Sequence, residues 1–177
     1  LCKELMKPSN FVHLHLHTSF SLLDSSLRHD ALFKRAAEFK MPAVAMTDHG
    51  NMFGAVDFYT GAKKYGLKPI IGCEVYVAPE SRHDKKDKHD LRDASYHLIL
   101  LAQNEKGYKN LLKLVTFGYI EGFYYKPRID KELLAEYAEG LIALSSCGRG
   151  EIAHNINKEN IPRAIKMAGQ YRDIMGQ

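Results

Sequence analysis

The sequence has few cysteines, and their spacing is unlike that of a disulfide framework. Cys2, Cys73 and Cys147 are odd in number and far apart, and no Cys-x-x-Cys pair occurs. Because secreted domains stabilised by disulfide bonds need paired cysteines, the number and spacing of the cysteines argue against that class of protein. They favour a reducing, cytoplasmic setting.

Long hydrophobic runs are also missing. No apolar segment approaches the roughly 18 residues that a membrane-spanning helix needs. The first ten residues, LCKELMKPSN, lack the hydrophobic core of a signal peptide. We therefore expect no association with a membrane.

Neither sign of charge is in large excess. The formal net charge is +4 at pH 7, which permits an anionic partner such as nucleic acid but does not require one. The sequence also lacks a Ser-His-Asp pattern and a glycine-rich phosphate loop. Any catalysis must therefore use another chemistry.

The composition predicts one globular domain over residues 1–177. With 45% hydrophobic residues in 177, the chain can bury a substantial single core. Strand-like runs alternate with helical patterns, which predicts an α/β sheet or barrel of parallel strands joined by helical crossovers. The predicted strands are Asn10–Leu16, Ala43–Met46, Pro69–Ala78, His97–Ala102 and Leu141–Leu144, and the predicted helices are His29–Lys40, Ala55–Tyr65, Glu105–Phe117, Lys131–Tyr137 and Asn157–Met175.

Two segments interrupt this alternation. Residues 79–94 read PESRHDKKDKHDLRDA, a polar run without apolar periodicity that predicts a mobile surface loop. The second segment, EGFYYKPRID, interleaves aromatic residues with Lys126 and Arg128. These side chains could stack on bases and hold phosphates. Tyr124 and Tyr125 could equally be packing residues beside a turn at Pro127, and the sequence slightly favours this second interpretation.

The motif FVHLHLHTSFSLLD is the strongest chemical signal in the chain. His13, His15 and His17 alternate, and Asp24 follows. Alternate residues of a strand point to one face, so the imidazoles would form a row. Neutral imidazole is the commonest protein ligand for metals, and a nearby carboxylate favours a divalent cation. The alternative is a surface strand whose histidines share a face by chance.

Further candidate ligands follow other predicted strands. His49 comes after AVAM, Glu74 lies within PIIGCEVYV, and Cys147 comes after LIALS. Functional sites in α/β folds are built at the carboxyl ends of parallel strands, so these residues should converge on one rim. Glu74 is costly to bury unless it is paired or bound to metal. Cys147 is either a buried structural thiol or a thiolate ligand.

Taken together, six segments of the chain resemble a known family. From about Asn10 to Glu151, in order and with the family's spacing, the sequence is similar to the PHP (polymerase and histidinol phosphatase) domains of bacterial replicative DNA polymerase III alpha subunits. The segments that match are FVHLHLHTSFSLLD, MPAVAMTDHGNMFGAVDFY, KPIIGCEVYVAP, YHLILLAQNEKGYKNLLKL, EGFYYKPRID and EGLIALSSC.

The resemblance implies a distorted seven-stranded β/α barrel, related to the TIM barrel, with up to three divalent metals, zinc or manganese. It implies a metal-dependent phosphoesterase acting as a 3′–5′ proofreading exonuclease at the 3′ end of a DNA primer strand. It also implies contacts with the rest of the polymerase alpha subunit and with a separate proofreading subunit. A non-catalytic, metal-stabilised scaffold is the main alternative, and a separate histidinol-phosphatase-like enzyme is a weaker one.

The same resemblance assigns roles to individual residues. Glu74, His49 and Asp24 are expected at the catalytic centre. Independently of the resemblance, the charges of Lys126, Arg128 and Arg149 make these residues candidates for phosphate or DNA binding. The metal ligands that the resemblance implies are His15, His17, Asp24, His49, Glu74, His97 and Cys147.

Three features depart from the family pattern. The run SSCGRGE differs from the small apolar sequence that more usually follows the cysteine, and Arg149 within it could reach a phosphate or lie in the first turn of a helix. An Asp-x-His motif near the end of the barrel has no counterpart in the 177 residues, so we expect the C-terminal part of the barrel to be missing and the chain alone to be weak or inactive. His97 precedes its apolar run, which would place it on the wrong rim of a parallel sheet. An antiparallel strand would remove that conflict.

Overall fold

The computed structural model describes residues 10–85 and 95–176. Within these ranges, no helix is long and apolar enough to cross a membrane. The elements in chain order are α1 (His29–Glu38), β1 (Ala43–Met46), α2 (Ala55–Lys64), β2 (Lys68–Val77), β3 (Tyr96–Ala102), α3 (Glu105–Ile120), β4 (Arg128–Ile129), α4 (Lys131–Glu136), β5 (Leu141–Leu144), α5 (Glu151–Asn157) and α6 (Ile161–Met175).

The strands form one mixed sheet in the order β1-β2-β3-β5. Strand β4 pairs with the far end of β2, on the same edge as β1. The β1–β2 and β2–β4 pairs are parallel, whereas β2–β3 and β3–β5 are antiparallel. The prediction of an all-parallel sheet was therefore wrong. The described residues form a mixed α/β fold and show five strands rather than a closed seven-stranded barrel.

The predicted first strand, Asn10–Leu16, is not a strand. This segment runs beside β1, where the backbone N–H groups of Ala45 and Thr47 donate to the carbonyls of His13 and Leu16. The Thr47 hydroxyl then accepts a hydrogen bond from the N–H of Leu16 at 2.8 Å. A side chain thus takes the place of a backbone partner, and a regular ladder does not form.

The two faces of the sheet carry different residues. Cys73, Val75 and Val77 of β2 point into the main core, where Phe33 and Phe58 from the helices pack. Cys73 is therefore a small core residue that faces away from Glu74. Because side chains alternate along a strand, the other face of β2 carries Glu74 and Tyr76.

The C-terminal helical region differs from the single predicted helix Asn157–Met175. The chain makes two helices, α5 and α6, separated at residues 158–160. Glu159 has a positive φ of 55°, and the side chain of Asn160 caps α6 by accepting from the N–H of Arg163. Pro162 fits the first turn of the new helix because it needs no N–H donor there.

The predicted loop at residues 79–94 lies only partly within the described residues. Over 79–85, Arg82 bonds to Asp130 at 3.1 Å and to Glu121 at 2.7 Å. Residues 86–94 fall outside the described ranges, so the predicted mobility of the loop stays a prediction.

Candidate metal centre

Glu74 lies at the middle of a cluster of histidines. It is fully buried and lies on β2. There it forms a parallel β-bridge with His49, which follows the end of β1. The N–H of Glu74 donates to the carbonyl of Asp48. A carboxylate in this position is costly unless donors or cations surround it.

The first ligand group joins Glu74 to residues 13–21, termed here the histidine-rich segment. Nε2 of His15 lies 2.8 Å from Oε2 of Glu74, and Nε2 of His17 lies 2.7 Å from the same oxygen. The two imidazole nitrogens are 3.2 Å apart. These three residues offer ligand atoms within 4.8 Å of one another.

The second group approaches Glu74 from the other side. Nδ1 of His97 lies 2.8 Å from Oε1 of Glu74, and Nδ1 of His49 lies 3.5 Å from Oε2. His97 reaches this rim because β3 is antiparallel to β2, with His97 opposite Tyr76. The start of β3 therefore meets the end of β2, which resolves the conflict that a parallel strand would create.

The cluster has a distinct electrostatic character. Burial alone would raise the pKa of Glu74, but hydrogen bonds from the surrounding histidines and Ser146 outweigh burial and hold that pKa well below its usual range. Burial, assisted by the charge of His17, lowers the pKa of His49 to about 4. At neutral pH the site thus combines an ionised carboxylate with a neutral imidazole, the protonation states that bind metal.

Asp48 connects the histidine-rich segment to the end of β1 through hydrogen bonds. It is fully buried and accepts hydrogen bonds from the N–H of Thr18 at 2.6 Å, the hydroxyl of Thr18 at 2.7 Å and the hydroxyl of Ser21 at 2.6 Å. Ser21 also accepts from the N–H of His49 at 3.1 Å. The Asp48 carboxylate therefore binds backbone and hydroxyl groups of the neighbouring segment.

Ser146 is a site residue that sequence reasoning missed. Its hydroxyl donates to Oε1 of Glu74 at 2.6 Å. Serine is common in loops, and the only local signal was its place beside Cys147. Its contact with Glu74 depends on β5 pairing with β3, which pairs with β2.

Two predicted ligands lie at the margin of the cluster. Oδ2 of Asp24 is 3.8 Å from Nε2 of His49, and the Asp24 side chain is 56% exposed. Cys147 is exposed on the loop after β5. Neither belongs to the two compact ligand groups found among the described residues, so their roles as ligands stay predictions.

The three predicted phosphate-binding cations differ in their placement. Lys126 is exposed, with Nζ 5.4 Å from the ring of Tyr76. Arg149 is exposed, and its backbone carbonyl accepts from the N–H of His97. Arg128 is buried and donates to the carbonyls of Gly122 and Asp84. The burial of Arg128 conflicts with a phosphate-binding role and indicates a structural one.

The donor set fits divalent cations. Four imidazoles surround one shared carboxylate, a mixture of nitrogen and oxygen ligands typical of zinc and related metals. Nδ1 of His49 is buried and has no hydrogen-bond partner among the described residues. A buried nitrogen without a protein partner is costly, and a bound cation would satisfy it. The geometry therefore defines a candidate centre with two ligand groups bridged by Glu74.

The comparisons with known proteins show the family of the chain. Residues 13–177 match the family model of the PHP domain, and the chain belongs to that family. It is 49% identical over 171 residues to a DNA polymerase III subunit alpha of Aquifex aeolicus, covering 94% of this chain and 15% of that protein. It is 55% identical over 169 residues to the same subunit of Borreliella burgdorferi, covering 96% of this chain and 14% of that protein.

Among solved structures, an amidohydrolase from Chromobacterium violaceum is similar over 85% of this chain and 39% of its own, with 18% identity and a TM-score of 0.43. A similarity this low carries no weight for the fold or the function. The two polymerase subunits are far longer than this chain, which spans about 15% of their length.

Proposed function

We propose that this chain is the PHP domain of a replicative DNA polymerase III alpha subunit, and that its metal centre hydrolyses phosphodiester bonds at the 3′ end of DNA. The observation that supports hydrolysis is the sharing of Glu74 by two ligand groups, His15 with His17 and His49 with His97. Paired divalent ions can activate a water and stabilise both the attacking and the leaving oxygen.

Each residue of the centre has a defined task in this proposal. Glu74 bridges the two groups and stays ionised, because its hydrogen bonds hold its pKa low. His49 presents a neutral ring at neutral pH. Asp24, exposed 3.8 Å from His49, is placed to act on substrate or solvent at the open side. Lys126 and Arg149 supply the exposed cations that would hold phosphates.

The metals that we propose are zinc or manganese, with up to three in the complete domain. His15, His17, His49, His97 and Glu74 would hold them, and Asp24 and Cys147 would complete the set. Histidine ligands suit zinc, whereas carboxylates suit harder ions such as manganese. A protein with this function would work in the cytoplasm, where bacterial DNA is replicated.

The test combines metal analysis with cleavage. The Glu74→Gln variant of this chain should bind less metal than the wild type, by about tenfold or more in affinity. In the full polymerase polypeptide, the same substitution should abolish Mn²⁺- or Zn²⁺-dependent removal of nucleotides from a 3′-labelled single strand. Glu159→Gln, at an exposed position between α5 and α6, is the matched control. Equal cleavage by the wild type and Glu74→Gln would assign the activity to another nuclease.

A second candidate function is a metal-stabilised scaffold for the rest of the alpha subunit and for a proofreading subunit. An exposed apolar patch favours it: Val56, 67% exposed, and Tyr59, 44% exposed, line one open cavity together with Pro69 and Ile71, and contiguous apolar patches mark surfaces where other proteins dock. Normal metal content and stability without cleavage, in a polymerase that still assembles, would favour the scaffold over the enzyme.

A further inference from the structure

We propose that Phe53, Tyr119 and Phe123, termed here the aromatic row, form a stacking surface for the bases of a single DNA strand that leads into the metal centre. This inference rests on the proposed function and names how its substrate is held. It adds binding residues outside the ligand groups. The family resemblance did not assign a role to any of the three.

The rings form a continuous row on the surface. The ring centroids of Phe53 and Tyr119 are 6.5 Å apart, and those of Tyr119 and Phe123 are 6.3 Å apart with planes inclined by 24°. Phe53 is 70% exposed, Phe123 49% and Tyr119 40%. Large aromatic rings dominate cores and interfaces because of the apolar area they bury, so three adjacent exposed rings indicate a surface that binds something.

Pro127 lies between the segment that carries His49 and the helix that carries Tyr119. A side chain at Gly50, next to His49, would touch both Pro127 and Tyr76, and Gly118, next to Tyr119, also faces Pro127. Phe53 lies only four residues after His49, in a turn held by hydrogen bonds of Asn51 to the carbonyl of His49 and to the N–H of Phe53. The segments that carry the row are therefore continuous with, or packed near, the segment that carries His49.

Charge favours nucleic acid as the occupant. Lys126 lies over the ring of Tyr76, and Tyr76 in turn stacks on His49, with ring centroids 6.0 Å apart and planes inclined by 18°. Arg149 is exposed and lies nearby, because its backbone carbonyl accepts from the N–H of His97, whose ring centroid lies 5.1 Å from that of Tyr76. Exposed rings beside exposed cations and a phosphodiester-cleaving centre match single-strand binding, in which bases stack on aromatic side chains and the backbone meets positive charge.

The absence of tryptophan from the chain allows a direct test. Phe53→Trp introduces a single tryptophan in the row, whose indole emission is separable from that of the tyrosines, and Ile165→Trp, at a 68% exposed position on α6, is the control. In EDTA, so that no cleavage occurs, a single-stranded oligothymidylate of about 12 nucleotides should quench the indole fluorescence of the Phe53→Trp variant but not that of the Ile165→Trp variant. Duplex DNA of the same length should quench the Phe53→Trp variant much less, because its bases are already stacked.

Binding measured by fluorescence anisotropy should fall by about fivefold or more for Phe53→Leu and for Phe123→Leu, since leucine keeps the apolar surface but cannot stack. Ile165→Ala should leave binding unchanged. Three results would each overturn the proposal. The first is an unquenched Phe53→Trp variant at DNA concentrations that the wild type binds, and the second is normal binding by the leucine variants. A change in the emission of the Phe53→Trp variant with protein concentration alone would also overturn it, because that change would identify a second copy of the chain as the occupant.

The two proposals fail in different ways. If stacking occurs in EDTA but no metal supports cleavage, the proposed hydrolysis fails and the aromatic row stands as a DNA-binding surface. If cleavage depends on Glu74 while the row variants bind and cleave normally, the hydrolysis stands and the row does not bind DNA.

Discussion

The hydroxyl of Ser146 donates a 2.6 Å hydrogen bond to Oε1 of Glu74, across 72 residues of sequence. Ser146 makes this contact from a left-handed backbone conformation, with φ of 65°, which costs a non-glycine residue about 1 kcal/mol or more. The hydroxyl and the ring of His97 share the same carboxylate oxygen. Ser146 thereby fixes the orientation of the carboxylate that both ligand groups use.

Substitutions at Ser146 should distinguish its effect on the orientation of the Glu74 carboxylate from its effect on the stability of the protein. Ser146→Ala loses the hydrogen bond and keeps the strained backbone, so the free energy of unfolding should fall by about 1 kcal/mol. Ser146→Gly loses the same bond but relieves the strain, so its stability should lie above that of the alanine variant. Both should bind metal about tenfold or more weakly, measured by titration calorimetry. If the glycine variant binds metal like the wild type, Ser146 has no positioning role.

Asp48→Asn should destabilise the protein and weaken metal binding together. An amide cannot accept all three hydrogen bonds that the Asp48 carboxylate accepts from Thr18 and Ser21, and leaving a buried donor unsatisfied costs about 1–3 kcal/mol. Urea unfolding with EDTA measures the stability change. Thr18→Val, which removes only one hydroxyl, should produce the smaller effect. A variant as stable as the wild type would show that Asp48 does not hold the histidine-rich segment.

His29 should make the protein less stable in mild acid. Its ring contacts Phe20, Phe33 and Phe58, and burial lowers its pKa below 6.5 although nearby aspartates oppose the shift. Because the folded state disfavours the protonated ring, the stability that His29 contributes is present above pH 6.5 and is lost as the pH falls through that value toward the lower folded pKa.

The measurement is the melting temperature between pH 7.5 and about 5 in EDTA. His29→Phe should lose less stability than the wild type over this range, and the difference isolates His29 because the metal-site histidines are present in both proteins. Parallel curves for the two proteins would contradict the prediction.

Gly107→Ala should destabilise the protein even though alanine is the better helix former. Gly107 lies in the first turn of α3, and a Cβ there would overlap the carbonyl oxygen of Gly140. Relieving that overlap should cost about 1–3 kcal/mol. Gly169→Ala in α6 meets nothing within 4 Å and should instead stabilise by up to about 1 kcal/mol. Thermal melts of the two variants should therefore shift in opposite directions.

Local patterns accounted for most elements and for the ligand types. Helices α1, α2, α3 and α4 and strands β1, β2, β3 and β5 lie within a few residues of their predicted bounds, because hydrophobic periodicity is a local property of the chain. The single helix predicted over Asn157–Met175 was one exception, because the chain forms α5 and α6 there. The segment Asn10–Leu16 was another. Its apolar and polar residues alternate as in a strand, but the N–H of Leu16 donates to the hydroxyl of Thr47 instead of to a backbone carbonyl.

By itself, the sequence determined the family, the rhythm of strands and helices, and a group of imidazoles with one buried carboxylate as the candidate metal ligands. The tertiary structure alone decided the direction of β3, which carries His97 to Glu74, and the contacts of Asp48 and Ser146, which hold the ligands in place. It also placed Arg128 inside the protein rather than at a substrate. Strand direction and side-chain burial depend on which distant segments of the chain pack together. Residue types and their local spacing do not reveal those long-range contacts.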